Sequence, residues 1–164
     1  MNLFSKLQQR AAEGKPLRVG MIGAGKFGSM YLSQVPRTPG IHMVGIADLS
    51  PDRARAALKN VGWKEEAYNA ATLEQAAKQG NTAIIDDGMK LIESPFVDII
   101  IDSTGNPAVG IAHVLACCEF KKHIVMVNVE ADALAGPLLK RKADEAGIVY
   151  SLAYGDQPAL IFEM

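Results

Sequence analysis

Cysteine is nearly absent from this chain: there are two in 164 residues, Cys117 and Cys118, adjacent in an apolar helical run. Neighbours on a helix point in different directions, which argues against a disulfide framework and fits a reducing compartment. A metal site built on the pair would need thiolate or imidazole partners that the local sequence does not supply, so both read as buried filler. Long apolar runs are also missing. Hydrophobic residues make up 49% of the chain, yet no stretch of about 18 uncharged apolar residues occurs, so no membrane span is expected. Nor is there an excess of charge. Seventeen Lys and Arg against eighteen Asp and Glu leave a formal charge of −1, without the basic footprint of a nucleic-acid partner. The opening "MNLFSKLQQRAAEGKP" lacks the apolar core and small-residue cleavage site of a signal peptide. Leu3, Phe4, Leu7 and Ala11 share one helical face there, so residues 1–15 read as a short leading helix of a cytoplasmic protein.

What the chain does contain is an alternation. "LRVGMIG" (17–23), "IHMVGIAD" (41–48), "VDIIIDST" (97–104), "HIVMVN" (123–128) and "IVYSLAY" (148–154) are short, continuous and rich in Val and Ile. That is the pattern of parallel strands covered on both faces. Helical stretches are expected near 26–35, 51–60, 72–79, 107–119 and 132–146, and "TAIID" offers a short third strand within the less regular Gly62–Ser94 stretch. Ser50-Pro51 and Asn106-Pro107 each put a capping side chain ahead of a proline suited to a first helical turn. The fold class that follows is α/β, a doubly wound parallel sheet of the Rossmann type, as one dinucleotide-binding domain over 1–164. Residues 155–164, with Pro158, look like the opening of a further element, so the sequence reads as part of a longer polypeptide whose substrate and oligomerisation domain lies elsewhere.

The corner "GAGKFG" joins the first strand to the first long helix. G-x-G-x-x-G is weak evidence alone and gains meaning from that strand–turn–helix context. Gly23 would permit the tight turn, Gly25 the approach of a pyrophosphate, and Gly28 close packing of helix on sheet. With Lys26 and Phe27 at the start of the helix, the corner presents free N–H groups and a partial positive charge to phosphates. Asp48 follows Gly28 by twenty positions, at the end of the second strand, where a carboxylate can accept from ribose hydroxyls. It would repel a 2′-phosphate, favouring NAD, whereas Arg53 and Arg55 on the next helix could hold one, favouring NADP.

Polar clusters close the later strands. Thr104, Gly105, Asn106 and Pro107 would line the nicotinamide side of the cofactor. Asn128 and Glu130 in "VNVEAD", with Tyr154 and Asp156 in "AYGDQP", would face the substrate across the same crevice, where Asn128, Glu130 and Asp156 are the candidate catalytic groups. The three histidines look unpromising: His42 and His123 start strands at the opposite edge, and His113 lies in an apolar helix. Asp86-Asp87 reads as a helix cap rather than a metal site.

The combination "RVGMIGAGKFG…IADLSPDRA…DSTGNP…HIVMVNVEAD…YGDQPAL" resembles the homoserine-dehydrogenase-like oxidoreductases that carry a C-terminal SAF domain, and among them the bacterial deoxyxylulose-phosphate reductoisomerase-like proteins. The resemblance runs from about Leu3 to the last residue. It implies a longer, homo-oligomeric enzyme acting on a small phosphorylated sugar or amino-alcohol. For the reductoisomerase-like members it implies isomerisation of a ketose phosphate and NADPH-dependent reduction in isoprenoid precursor synthesis, assisted by a divalent metal, Mg or Mn. Those proteins have Asn-Lys-Glu where this chain has Asn128-Val129-Glu130. Homoserine-type hydride transfer and a non-catalytic NAD(P) redox sensor are the alternatives.

Overall fold

Each of the apolar runs forms a strand, and the strands are shorter than the runs. A computed structural model describes residues 2–153. The strands are β1 (Leu17–Ile22), β2 (Ile41–Ala47), β3 (Ala83–Ile85), β4 (Ile99–Asp102), β5 (His123–Met126) and β6 (Tyr150–Leu152). All pair in parallel in the order β3-β2-β1-β4-β5-β6. Helices α1 (Leu3–Ala12), α2 (Lys26–Gln34), α3 (Pro51–Asn60), α4 (Leu73–Gln79), α5 (Gly88–Glu93), α6 (Pro107–Glu119) and α7 (Val129–Ala146) fill the connections.

The sheet separates two cores, as right-handed crossovers running both ways from its centre require. On one face Leu32 of α2 and Ala54, Ala57 and Leu58 of α3 cover Met21, Met43 and Ile46. On the other, Leu91 and Ile92 of α5, Val114 and Cys117 of α6, and Leu139 and Ala143 of α7 cover Val44, Ile100, Ile124 and Met126. Cys117 is thus core filler, and burial pushes its thiol up to about 12, which keeps it protonated and unreactive. The crossover from β3 to β4 passes back over β2 and β1. The loops after β1 and β4 therefore leave neighbouring strands in opposite directions and open a crevice between them.

Of the boundaries that differ from the sequence expectation, three shape the crevice. β4 ends at Asp102, because Ser103 and Thr104 turn to bond β1 and Asp102, and β5 ends at Met126. The helix expected over 132–146 starts at Val129, since the Asn128 side chain caps it by accepting from the Ala131 amide at 3.1 Å. Helix α1 lies on the surface: Leu3 is 75% and Phe4 49% exposed, and Leu7 alone of its apolar face is partly covered. No helix among the described residues is long and apolar enough to cross a membrane.

Candidate functional site: a crevice over the glycine corner

The turn after β1 is held by backbone and serine. Gly23 has φ +95°, a conformation side chains rarely adopt, and its amide donates to Ala47 O at 2.8 Å. Ser103 Oγ, after β4, donates to Gly23 O at 2.6 Å, so both sides of the crevice are tied at its base. A Cβ on Gly28 would lie 2.6 Å from Gly23 O. Close packing of α2 on the corner thus depends on glycine at 28. Gly28→Ala should destabilise the fold by about 1–2 kcal/mol through overpacking. Thermal unfolding would register this, and an unchanged midpoint would show that the corner is looser than this packing implies.

Gly25 differs: a Cβ there would meet nothing within 4 Å. It is the N-cap of α2, and no side chain bonds that helix start. The other six described α-helices are each capped by a side chain, from Asn2, Ser50, Thr72, Asp87, Asn106 and Asn128. The cap expected at Asp87 is there; its Oδ1 accepts from the Met89 amide at 2.8 Å. Helix α2 therefore keeps its first amides and its positive end uncapped beside the crevice.

Above the sheet edge lies a cavity of about 620 Å³ lined by Gly23, Gly25, Asp48, Arg53, Thr104, Gly105, Asn106 and His113, together with Asp86 to Met89. Lys26, Phe27, Gly28 and Pro107, expected at the site, do not line it; they build the two helix starts that flank it.

Asp48 is where the sequence placed it, but more constrained than expected. Its side chain is 1% exposed. Oδ2 accepts from the Ala24 amide at 2.8 Å, and Oδ1 from the Ser50 amide at 2.9 Å and Arg53 Nη2 at 2.7 Å. Burial pushes its carboxyl up, but those amides and the guanidinium outweigh it and hold the group below its ordinary value. A carboxylate has about four lone-pair sites, so three donors leave room for one more. Arg53, expected to be available for a phosphate, is instead paired with Asp48, while Arg55 pairs with Asp52 at 3.3 Å and does not line the cavity.

The placement of Asn128 is a correction. It is 1% exposed. Its Nδ2 donates to Thr104 Oγ1 at 3.1 Å and Asn106 O at 2.8 Å, while its Oδ1 caps α7. Its amide joins the β4 and β5 loops and is not presented to the crevice. Glu130 is exposed on the first turn of α7, away from the cavity lining. Tyr154 and Asp156 lie outside the described residues. Among the described residues no group of three or more His, Cys, Asp or Glu side chains could hold a metal ion.

Sequence reasoning passed over His113. It is 6% exposed, and its Nδ1 lies 2.8 Å from Asp102 Oδ2. Asp102 is fully buried, and its Oδ1 accepts from the amide and hydroxyl of Thr104 at 2.9 and 2.6 Å. A signal was present: His113 shares the buried face of α6 with Gly110, Val114 and Cys117, one helix after a strand ending in aspartate.

A parallel sheet of this order, with a glycine corner under an uncapped helix and an acid at the end of β2, defines a Rossmann-type dinucleotide-binding domain. The chain belongs to the GFO/IDH/MocA family, described as an oxidoreductase family with an NAD-binding Rossmann fold, which matches residues 17–127. Solved structures similar to it include a homoserine dehydrogenase from Thiobacillus denitrificans, at 20% identity and TM-score 0.64, covering 84% of this chain and 29% of that one. An NAD binding oxidoreductase from Klebsiella pneumoniae matches at 19% and 0.56, covering 89% and 37%. The WlbA dehydrogenase of Chromobacterium violaceum, solved with NADH and UDP-GlcNAcA, matches at 14% and 0.59, covering 84% and 35%. At such identities the likeness is one of fold. The chain spans roughly a third of the length of these proteins. A comparison with curated proteins finds no match.

Proposed function

We propose that this chain is the cofactor-binding domain of an NAD(P)-dependent oxidoreductase, in which the crevice holds the dinucleotide with its pyrophosphate at Gly23–Gly28. The observation that carries the proposal is the start of α2, uncapped by any side chain and with open space at Gly25. The residues present fit such a group: amides for the phosphates, the remaining acceptor capacity of Asp48 for a ribose hydroxyl, and Thr104, Gly105 and Asn106 toward the nicotinamide. Bound there, the nicotinamide supplies hydride transfer. The chain's own part is to orient it. Asn128 fixes the Thr104 and Asn106 loop from below, and Ser103 fixes Gly23, so the walls are set before any ligand arrives.

Of the chemistries the sequence resemblance raises, hydride transfer of the homoserine-dehydrogenase type also has a structural neighbour. Isomerisation of a ketose phosphate rests on resemblance alone, and Asn128-Val129-Glu130 lacks the lysine of the reductoisomerases. Hydride transfer to or from a small hydroxylated substrate is therefore the proposed reaction, with the substrate held partly by polypeptide beyond these residues.

The direct test is titration of the chain with NADH, followed by the change in nicotinamide fluorescence. Saturable binding, competed by NAD, is expected. Failure of the folded chain to bind NADH or NADPH would sink the proposal. Within it, Glu130 and Asp156 keep substrate-side roles. In the full-length enzyme Glu130→Gln should lower turnover by about tenfold while cofactor affinity stays within a few-fold, the pattern of a contact made in the transition state. Normal turnover would reduce Glu130 to a carboxylate that favours the start of α7.

A further inference from the structure

The geometry points to His113 as a ligand-contacting residue: its Nε2 is held bare beneath the crevice to accept a hydrogen bond from a ribose hydroxyl of the bound dinucleotide. This rests on the proposed cofactor site and adds to it a contact from outside the glycine corner and the strand ends.

Three observations carry it. The first is the fixed tautomer. Asp102 is buried, takes both Thr104 donors on Oδ1, and leaves Oδ2 to the imidazole at 2.8 Å. A carboxylate can only accept, so Nδ1 carries a proton, and the ring in its neutral form is left with a bare lone pair on Nε2. The second is that Nε2 has no hydrogen-bond partner among the described residues; since no fully buried side-chain nitrogen or oxygen there lacks one, Nε2 opens onto the cavity that the residue lines. A polar atom open to a cavity is matched by water or by what the cavity holds.

The third is Gly88. A Cβ there would stand 3.3 Å from His113 Nε2 and 3.0 Å from the Ile22 side chain. Glycine at the start of α5 leaves uncovered the ring nitrogen that any side chain would crowd.

The chemistry of the ligand follows from the lining. Asp48, Asp86, Asp87 and a bare Nε2 are acceptors in the lining, where the Arg53 guanidinium is already paired with Asp48. Acceptors suit a donor. A dinucleotide carries donor amines on adenine and carboxamide at its two far ends, whereas the ribose hydroxyls flank the pyrophosphate. Nε2 lies near Ile22, the residue before Gly23, which favours such a hydroxyl. Two riboses could supply one, and the experiment separates them.

The chain, labelled with 15N in histidine, is titrated with NAD, with AMP and with nicotinamide mononucleotide, while the two ring nitrogens of His113 are followed by NMR. NAD should move the Nε2 resonance toward its hydrogen-bonded position and leave Nδ1, held by Asp102, nearly unchanged. A general rearrangement would move both. Whichever mononucleotide reproduces the Nε2 shift carries the contacted ribose. His113→Phe should weaken NADH binding about tenfold, and Gly88→Ala, which covers Nε2 from the other side, by several-fold. Should either variant fold poorly, the wild-type resonance still decides. NADH binding with an unmoved Nε2 would overturn the inference and leave the cofactor site standing. Absence of NADH binding would overturn both.

Discussion

Gly25→Val should weaken NADH binding by about 100-fold or more, equivalent to roughly 2.7 kcal/mol, while the protein remains as stable as the wild type. The two halves of this expectation come from one local fact. A Cβ at Gly25 meets nothing within 4 Å, and the residue has φ −74°, outside the left-handed region that requires glycine. Nothing in the folded chain resists the substitution, so the cost falls on whatever occupies the space. In the proposed complex that occupant is the pyrophosphate, drawn there by the uncapped amides of α2 and unable to move away without losing them. Gly28→Ala provides the contrast, because its Cβ would meet the Gly23 carbonyl. Fluorescence titration and a thermal melt on the same Gly25→Val sample are sufficient. Wild-type affinity in a folded variant would remove the corner from the site, and a collapsed melting point would mean that the backbone there is less tolerant than its geometry indicates.

How much of this could be read from residues alone depends on the kind of signal. The strands were legible because burial on both faces leaves continuous Val and Ile runs that no surface element would tolerate. The caps at Ser50, Asn106 and Asp87 were legible because an oxygen-bearing side chain directly before a helical run has one dominant use, to accept from an amide two or three residues on. The irregular Gly62–Ser94 stretch was read more thinly, through the helix near 72–79 and the strand in "TAIID", and the structure bears both out. There β3 is three residues long, and α4 and α5 have seven and six, so periodicity has little length in which to register.

Direction was the harder problem. Asn128 and Glu130 are polar residues at the carboxyl end of a strand, where a side chain can face a ligand or turn back to cap the next helix. Both uses call for the same residue types. Tertiary contact decided it: Asn128 reaches across to Thr104 and Asn106, two loops distant in sequence. His113 failed for the complementary reason. An apolar helix face argued for packing, and its partner, Asp102, is eleven residues away in the preceding strand. The pairing exists only once α6 folds back over β4.

Asp48→Ala should both destabilise the domain and change its choice of cofactor, and the two effects have separate origins. The stability loss comes from the amides of Ala24 and Ser50, which would lose the carboxylate they share beneath the corner. Unpaired donors at about 1–3 kcal/mol each, less for the partly exposed one, give a loss of about 2–4 kcal/mol. The Arg53 pair adds little, because the guanidinium side chain is 62% exposed and water replaces the carboxylate there. The acid dependence follows from the lowered folded-state value of Asp48. A depressed carboxyl contributes stability that is fully present above its unfolded value, about 3.9, and lost as pH falls through the folded value. The gap between wild type and Asp48→Ala should therefore be widest above about pH 4 and narrow under stronger acid, as urea melts across that range would show.

The cofactor effect has a different source. Removing Asp48 takes away a negative charge near the expected 2′ position and releases Arg53 from its 2.7 Å bond, leaving a guanidinium able to take a phosphate in a bidentate grip. The ratio of NADPH to NADH dissociation constants should fall by about tenfold or more. Both constants must be taken on the same sample, since a loosened corner would weaken the two cofactors equally and leave the ratio untouched. A destabilised variant with an unmoved ratio would make Asp48 a brace for the glycine corner and nothing else, and the discrimination against a 2′-phosphate would have to come from elsewhere on the cavity wall.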